Sequence, residues 1–311
     1  MAIAATVIGL LLIFILCASY YAYRMAFLAK AKNPTEYKLT LPEGEAYQKE
    51  YERTVSFIKE LNEIEYEKVS IKAHDGKTLA ARYYHTADGA PIHIEFHGYR
   101  SSAPRDFSGG NKFARDSGHN TLLVDQRAHG ESGGRSITFG ILERYDCLDW
   151  INYVIDRFGM DVKIILAGIS MGAATVLMAS GLELPENVKG IIADCPYSSP
   201  EEIIKKECGK MKLPPNLSYP FVRLGAIIFG GFDPSAATAK DAVKAARIPI
   251  LIIHGENDVF VPCSMSREIY NACASDKTLV TVPKAGHGVS YIVDRPLYEK
   301  TVSEFFEKIL N

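Results

Sequence analysis

The residue in this sequence best placed to do covalent chemistry is Ser170. It stands between Gly168 and Gly172 in KIILAGISMGAATVLMASG, residues 163–181, where an apolar run turns sharply and becomes apolar again. Such a strand–turn–helix is tight enough that a side chain at either flanking position would strike neighbouring backbone, so glycine is required on both sides. The turn forces the serine into a strained backbone conformation and lifts its Oγ above the sheet edge. It also sets that oxygen at a helix N-terminus, where partial positive charge favours a developing anion. This pattern suits a nucleophile.

A serine hydroxyl is a weak nucleophile without a base, and the base needs an orienting acid. Downstream, LIIHGENDVFVP ends a strand in Asp258, with Glu256 as a nearby rival, and VTVPKAGHGVSY places His287 in the loop after the last strand. A lone Asp after a strand is usually a cap, and a lone loop His is usually a surface residue. Both at successive strand ends, after such a turn, give the order nucleophile–acid–histidine. Two donors are then needed for an oxyanion. The Met171 N–H opens the helix, and the Tyr99 N–H lies in the loop FHGYRSS, where Gly98 lets the backbone approach. His97 of that loop is expected to hold the turn.

These residues need a scaffold that brings strand ends together. After an alternating hairpin around Asp75-Gly76, short β-branched runs at 91–98, 120–127, 162–168, 188–196, 248–255 and 278–283 alternate with helical segments near 106–117, 140–158, 170–182, 264–274 and 294–310. Near-continuous apolar strands separated by helices specify a mostly parallel sheet covered on both faces. The interval 197–247 is too long for one crossover and is expected to form a small cap. It carries apolar Phe221, Ile227, Ile228 and Phe229. Tyr197, Phe221 and Phe260 are the candidate substrate-pocket residues.

The N-terminus has a different character. From Ala2 to Tyr23 there is no charge; as a helix these positions span about 33 Å, close to the bilayer hydrocarbon thickness. No Lys or Arg precedes the run, and Cys17-Ala18-Ser19 is a mediocre cleavage site, which favours an uncleaved anchor over a signal peptide. Tyr20, Tyr21 and Tyr23, followed by Arg24, Lys30 and Lys32, form an aromatic and cationic flank that places the main domain in the cytoplasm; secretion after cleavage is the alternative. The expected organisation is an anchor at 1–23, a connector and helix at 24–65, and a catalytic domain at 66–311. A net charge of −2 and the lack of a Lys/Arg-rich patch argue against nucleic acid as partner. The six cysteines are scattered, without metal-ligand spacing, and read as buried hydrophobes.

Together, HGYRSS, VDQRAHGESGG, GISMG, GENDVFVP and AGHG resemble the α/β-hydrolase superfamily across residues 66–311, and more narrowly the membrane-anchored Bem46/YqkD-like esterases. The resemblance implies an α/β-hydrolase fold with Ser170 as nucleophile, Asp258 rather than Glu256 as acid and His287 as base. It implies no metal or organic cofactor. It makes Asp125, Arg127 and His129 scaffold, with Ala128 standing where the family pattern has glycine. The function implied is cleavage of carboxylic esters of small-molecule or acyl substrates. Thioesterase, lipase-like or peptidase specificity on the same residues is the alternative, and a non-catalytic binding protein a more distant one.

Overall fold

The computed structural model describes residues 1–29 and 45–311, so Lys30, Lys32 and the rest of the connector up to residue 44 lie outside the described residues. Eight strands form one sheet: β1 (Glu67–Lys72), β2 (Thr78–Tyr84), β3 (Ile92–Phe96), β4 (Asn120–Asp125), β5 (Ile164–Ile169), β6 (Val188–Asp194), β7 (Ile250–Gly255) and β8 (Lys277–Val282). Their order is β1-β2-β4-β3-β5-β6-β7-β8. The hairpin at Asp75-Gly76 pairs β1 with β2, β2 runs antiparallel to β4, and every later pair is parallel.

The strand sequences explain why the sheet is covered on both sides. In β5, Ile164 and Leu166 join a cluster with Trp150, Val154 and Val176, whereas Ile165 and Ala167 join Phe305, Phe306 and Val302 on the other face. The period of two sends alternate side chains into two different apolar layers, so no position of the strand can be polar without cost. Helices α4 (Glu143–Phe158) and α5 (Met171–Ala179) build the first layer. On the opposite face lie α3 (Ala103–Asp116) and α11 (Arg295–Leu310). Of the remaining helices, α2 (Glu45–Glu63) packs on α3, α9 (Cys263–Ala272) precedes β8, and the short α10 (Ser290–Val293) precedes α11. The parallel strands end together, so the loops after β3, β5, β6, β7 and β8 converge on one edge, the usual place for a site in an open α/β sheet.

The interval between β6 and β7 holds α6 (Pro200–Lys210), α7 (Pro215–Gly225), a π-helical turn (Ala226–Gly230) and α8 (Ala239–Ala242). Against α7 and that turn lies the C-terminal part of α1 (Ala2–Ala26). The helix therefore runs three residues past Tyr23 before it turns. Its first two-thirds expose Ile3, Val7, Leu10 and Phe14, whereas Ser19, Tyr23 and Phe27 are buried. Gly225 permits the closest approach, because a Cβ there would lie 2.2 Å from the Ser19 carbonyl oxygen. The segment after α1 is stitched down by backbone hydrogen bonds from Ile137 N to Phe27 O (2.8 Å) and from Ala29 N to Arg135 O (2.9 Å).

The DQRAHGES segment is structural. Arg127 is buried in a bidentate pair with Asp146 and reaches Asp75 at 3.1 Å, and His129 Nε2 accepts the Arg100 N–H at 3.0 Å, bracing the loop after β3. Ala128 sits at φ +65°, the left-handed region that favours glycine. Its methyl group is tolerated there at a cost in backbone strain.

Candidate active site

Ser170 lies at the end of β5 and opens α5, with φ +55° and ψ −113°, a conformation that an L-residue adopts only when its surroundings impose it. Its N–H is fixed to the Asp194 carbonyl at 2.8 Å, and its own carbonyl accepts the Ala174 N–H. The flanking glycines are sterically required. A Cβ on Gly168 would lie 2.3 Å from Gly172 O, and one on Gly172 would lie 1.7 Å from the carbonyl oxygen of Phe96. Because the obstacle at Gly172 is backbone of the central strand β3, it has no rotamer by which to move. Gly172→Ala is expected to cost more than about 4 kcal/mol, seen as loss of soluble, cooperatively melting protein; a melting temperature within a few degrees of the parent would contradict the steric argument.

The loops after β7 and β8 deliver the other two groups. His287 Nε2 is 2.9 Å from Ser170 Oγ, and His287 Nδ1 is 2.6 Å from Asp258 Oδ2. A carboxylate can only accept, so Nδ1 carries the proton and the Nε2 lone pair faces the serine hydroxyl. Gly255 makes the approach of the two loops possible, since a Cβ there would sit 2.4 Å from Ala285 O; Asn257 N bonds Ala285 O at 2.9 Å. Asp258 Oδ1 accepts the N–H groups of Phe260 and Val261, both at 2.8 Å. Burial pushes the Asp258 carboxyl up, but hydrogen bonds from His254 and His287, and then the His287 charge, outweigh it and hold the group well below its usual range. Glu256 is exposed, bonded to Thr281, and takes no part.

Two polar groups behind these residues were not singled out in the sequence. His254, buried in β7, lies 3.3 Å from Asp258 Oδ2; its Nε2 donates to Val261 O and its Nδ1 accepts from Ser266 Oγ at 2.6 Å. Asp194, at the end of β6, accepts from Ser290 Oγ at 3.4 Å and lines the cavity beside Ser170. Burial raises the Asp194 carboxyl to about 6, against the lowering charges of His254 and His287. A native carboxyl raised this way keeps a proton that the unfolded chain has released, so stability is lost as pH rises from about 4 to about 6. Asp194→Asn has no such titration. Relative to the parent, it should gain about 2 kcal/mol between pH 4 and pH 7, measurable by urea unfolding at both pH values. A pH-independent difference between the two proteins would refute the assignment.

The two N–H groups expected as oxyanion donors lie in the segments next to Ser170. The Met171 N–H is the first of α5, and the loop after β3 abuts the nucleophile, a Cβ on Gly98 being 3.5 Å from Ser170 Cβ. Gly98 N is committed to Asp106 Oδ2 at 2.7 Å and Arg100 N to His129, while among the described residues the Tyr99 and Met171 N–H groups have no acceptor. His97 is buried; its Nδ1 lies 2.8 Å from Gly98 O and its Nε2 accepts the Gln126 N–H, so it secures the turn.

Two cavities meet at Ser170. One, of about 470 Å³, is bounded by α2, α3 and α10, and its lining is mixed, with Arg105, Asp106 and Ser108 among apolar Phe57, Ile169 and Val289. The other, of about 640 Å³, is almost wholly apolar and runs between α1, α6 and α7; Tyr197, Phe221 and Phe260 all line it. Tyr197 is fixed there by a 2.9 Å hydrogen bond to Phe139 O. Among the described residues, two groups of side chains have the spacing of a metal site, Cys195–Asp258–His287 and His74–Asp146–Asp149. In the first, Asp258 and His287 already bond each other, and burial pushes the Cys195 thiol well up, away from the thiolate that a metal requires. In the second, Asp146 is held by Arg127 and Asp149 by His74.

Comparison with known proteins supports the fold. Residues 96–236 match the family described as alpha/beta hydrolase fold, and residues 229–291 match serine aminopeptidase, S33. The chain has the α/β-hydrolase fold. Within that superfamily it resembles the Bem46/YqkD proteins: it is 28% identical over 195 residues to the uncharacterised YqkD of Bacillus subtilis, covering 62% of this chain and 64% of that one. It is 22% identical to protein bem46 of Schizosaccharomyces pombe over 90% of this chain and 87% of the relative. The match thus spans less than two-thirds of the Bacillus protein but most of the fission-yeast one. Among solved structures, esterase Pf2001 of Pyrococcus furiosus superposes with a TM-score of 0.65 at 25% identity, over 81% of this chain and 95% of that one.

Proposed function

We propose that this chain is a membrane-anchored serine hydrolase that cleaves carboxylic esters through an acyl-enzyme. The observation that carries the reading is the unbroken relay from Ser170 Oγ to His287 to Asp258, at 2.9 and 2.6 Å. In the first half-reaction His287 Nε2 takes the Ser170 proton as Oγ bonds the ester carbonyl carbon, and the oxyanion is held by the Tyr99 and Met171 N–H groups. Asp258 stabilises the imidazolium. His287 then protonates the leaving alcohol as the C–O bond breaks. In the second half-reaction it deprotonates water, which displaces Ser170 and releases the acid. The chemistry calls for no cofactor. The likeness to an archaeal esterase supports an ester over an amide as substrate.

Retention of the anchor is supported by the burial of Ser19 against α7 and by the stitching of residues 27–29 into the domain. A cut at Cys17-Ala18-Ser19 would remove part of that packing. On this reading the apolar helix crosses the membrane, and the cations that follow it in the sequence, Arg24, Lys30 and Lys32, favour a cytoplasmic domain; protease resistance of the domain in intact cells is the expected result. For the chemistry, the test is hydrolysis of p-nitrophenyl esters from acetate to palmitate by the full chain, with a thioester and an amino-acid anilide alongside. Ester cleavage exceeding anilide cleavage by at least a hundredfold is expected. Anilide cleavage without ester cleavage would mark a peptidase.

A further inference from the structure

The apolar cavity is not built by the hydrolase domain alone. From α1 it takes Ala18, Tyr21, Ala22, Met25 and Ala26, the spacing of a single helical face. A separate face of the same helix, Ser19, Tyr23 and Phe27, is buried against the domain. Hydrocarbon anchorage alone requires neither small residues nor two distinct faces. Here three alanines keep one face low where the cavity passes, while the other face packs.

The helix end is also tied to the oxyanion loop. Tyr99 Oη donates to Ala26 O at 2.7 Å, and the Arg100 guanidinium donates to Met25 O at 2.8 Å and Leu28 O at 3.2 Å. These carbonyls are orphans of a helix C-terminus, and a cation is favoured there. Thus α1 is held in a fixed position relative to Ser170, as a cavity wall must be.

The cavity has its rim beside the anchor helix. Exposed Met211, Leu213 and Leu217 rim it, with Tyr21 and Met25 of α1. Ile227, Ile228 and Phe229 are exposed nearby, Phe229 lying 5.0 Å from Tyr20. The part of α1 before Ala18 spans about 24 Å, short of a hydrocarbon core of about 30 Å. Matching that thickness requires the apolar rim to enter the interface as well.

We infer that α1 is a wall of the acyl site, and that the substrate is the ester of a long-chain acyl group of a membrane lipid, whose chain passes from the bilayer into the α1–α6–α7 cavity. Carrying an acyl chain through water instead would cost about fourfold in equilibrium constant per methylene, so a continuous apolar path is what makes such a substrate accessible. The carbonyl then lies at Ser170, with the alcohol portion in the mixed cavity, against its polar residues Arg105 and Ser108. A volume of about 640 Å³ falls within the range of small-molecule sites.

This inference rests on the serine-hydrolase reading, and the test separates the two. The full chain in phosphatidylcholine nanodiscs is treated with a hexadecyl fluorophosphonate bearing a terminal diazirine, irradiated and mapped by peptide mass spectrometry. Attachment at Ser170 with photocrosslinks in residues 18–26 or 203–222 is expected. No attachment at Ser170 would overturn the enzymatic reading. Attachment there with crosslinks confined to α2, α3 or α10 would overturn only the acyl-site assignment. In parallel, Ala22→Trp should lower the ratio of kcat/KM for p-nitrophenyl palmitate to that for the butyrate at least tenfold. Ala4→Trp, a tryptophan added to the lipid-facing part of the helix, should leave that ratio alone. An unchanged ratio in Ala22→Trp protein that still labels with a short-chain fluorophosphonate would equally overturn the assignment.

Discussion

Ser170→Ala is expected to reduce kcat for p-nitrophenyl butyrate by about 10⁴- to 10⁶-fold and to abolish fluorophosphonate labelling, while the protein melts within a few degrees of the parent. The two halves of this expectation have separate physical origins. Removing Oγ removes the atom that forms the acyl-enzyme, and no other hydroxyl is bonded to His287 among the described residues. The residual rate comes from substrate binding and the oxyanion donors. Stability is preserved because alanine keeps the Cβ and meets the same constraint at φ +55°, so backbone strain is unaltered. The one interaction lost is the 2.9 Å contact to His287, which retains Asp258. Circular dichroism and a thermal melt establish the second half. Turnover within tenfold of the parent, in protein shown by mass spectrometry to carry the substitution, would remove Ser170 from the mechanism.

The site was legible to the extent that its chemistry is local. The two glycines around Ser170 announce a turn because their Cβ atoms would enter backbone, and the structure shows both collisions. The strands were legible for a related reason. Residues such as Ile164, Ile165, Leu166 and Ala167 have no polar face to present, which only a doubly covered strand allows. His287 and Asp258 could be nominated because each follows a strand that ends on the same edge.

What escaped the sequence depends on contacts across long separations. His254 reads as one polar residue in an apolar strand, and only the fold puts its ring beside Asp258. Asp194 reads as a strand terminus until β6 is set beside β5. The dual character of α1 escaped for a different reason: hydropathy measures aversion to water and does not distinguish lipid from a protein groove. Ala18, Ala22 and Ala26 suit either neighbour, and only α6 and α7, about 200 residues later, decide between them. The deviation at Ala128 could be noticed in the sequence, but the strain it represents required φ.

Asp258→Asn is expected to lower kcat by about 10⁴-fold with little change in KM, and the four hydrogen bonds to this side chain say why. Two come from the backbone N–H groups of Phe260 and Val261, which can only donate, so the asparagine carbonyl must stay turned toward them. Its amide nitrogen then faces His287, replacing an acceptor by a donor. The imidazole responds by presenting its Nδ1 lone pair to the amide, which moves the proton to Nε2, the atom that must accept from Ser170. The base is thereby occupied before reaction begins, and the imidazolium loses the charge that stabilises it. His254 Nε2, which also points at this oxygen, meets a donor as well, so some stability is lost in addition. Glu256→Gln, one turn of the same loop away but exposed and bonded to Thr281, should be silent. Nitrogen NMR of the His287 ring should report the proton on Nδ1 in the parent and on Nε2 in the variant. If Asp258→Asn retained activity within tenfold of the parent, the acid would have to be supplied from elsewhere. The candidate would be Asp194, already buried within the electrostatic reach of His287. The Asp194→Asn variant, expected to alter pH-dependent stability rather than the tautomer, distinguishes the two carboxylates in the same assay.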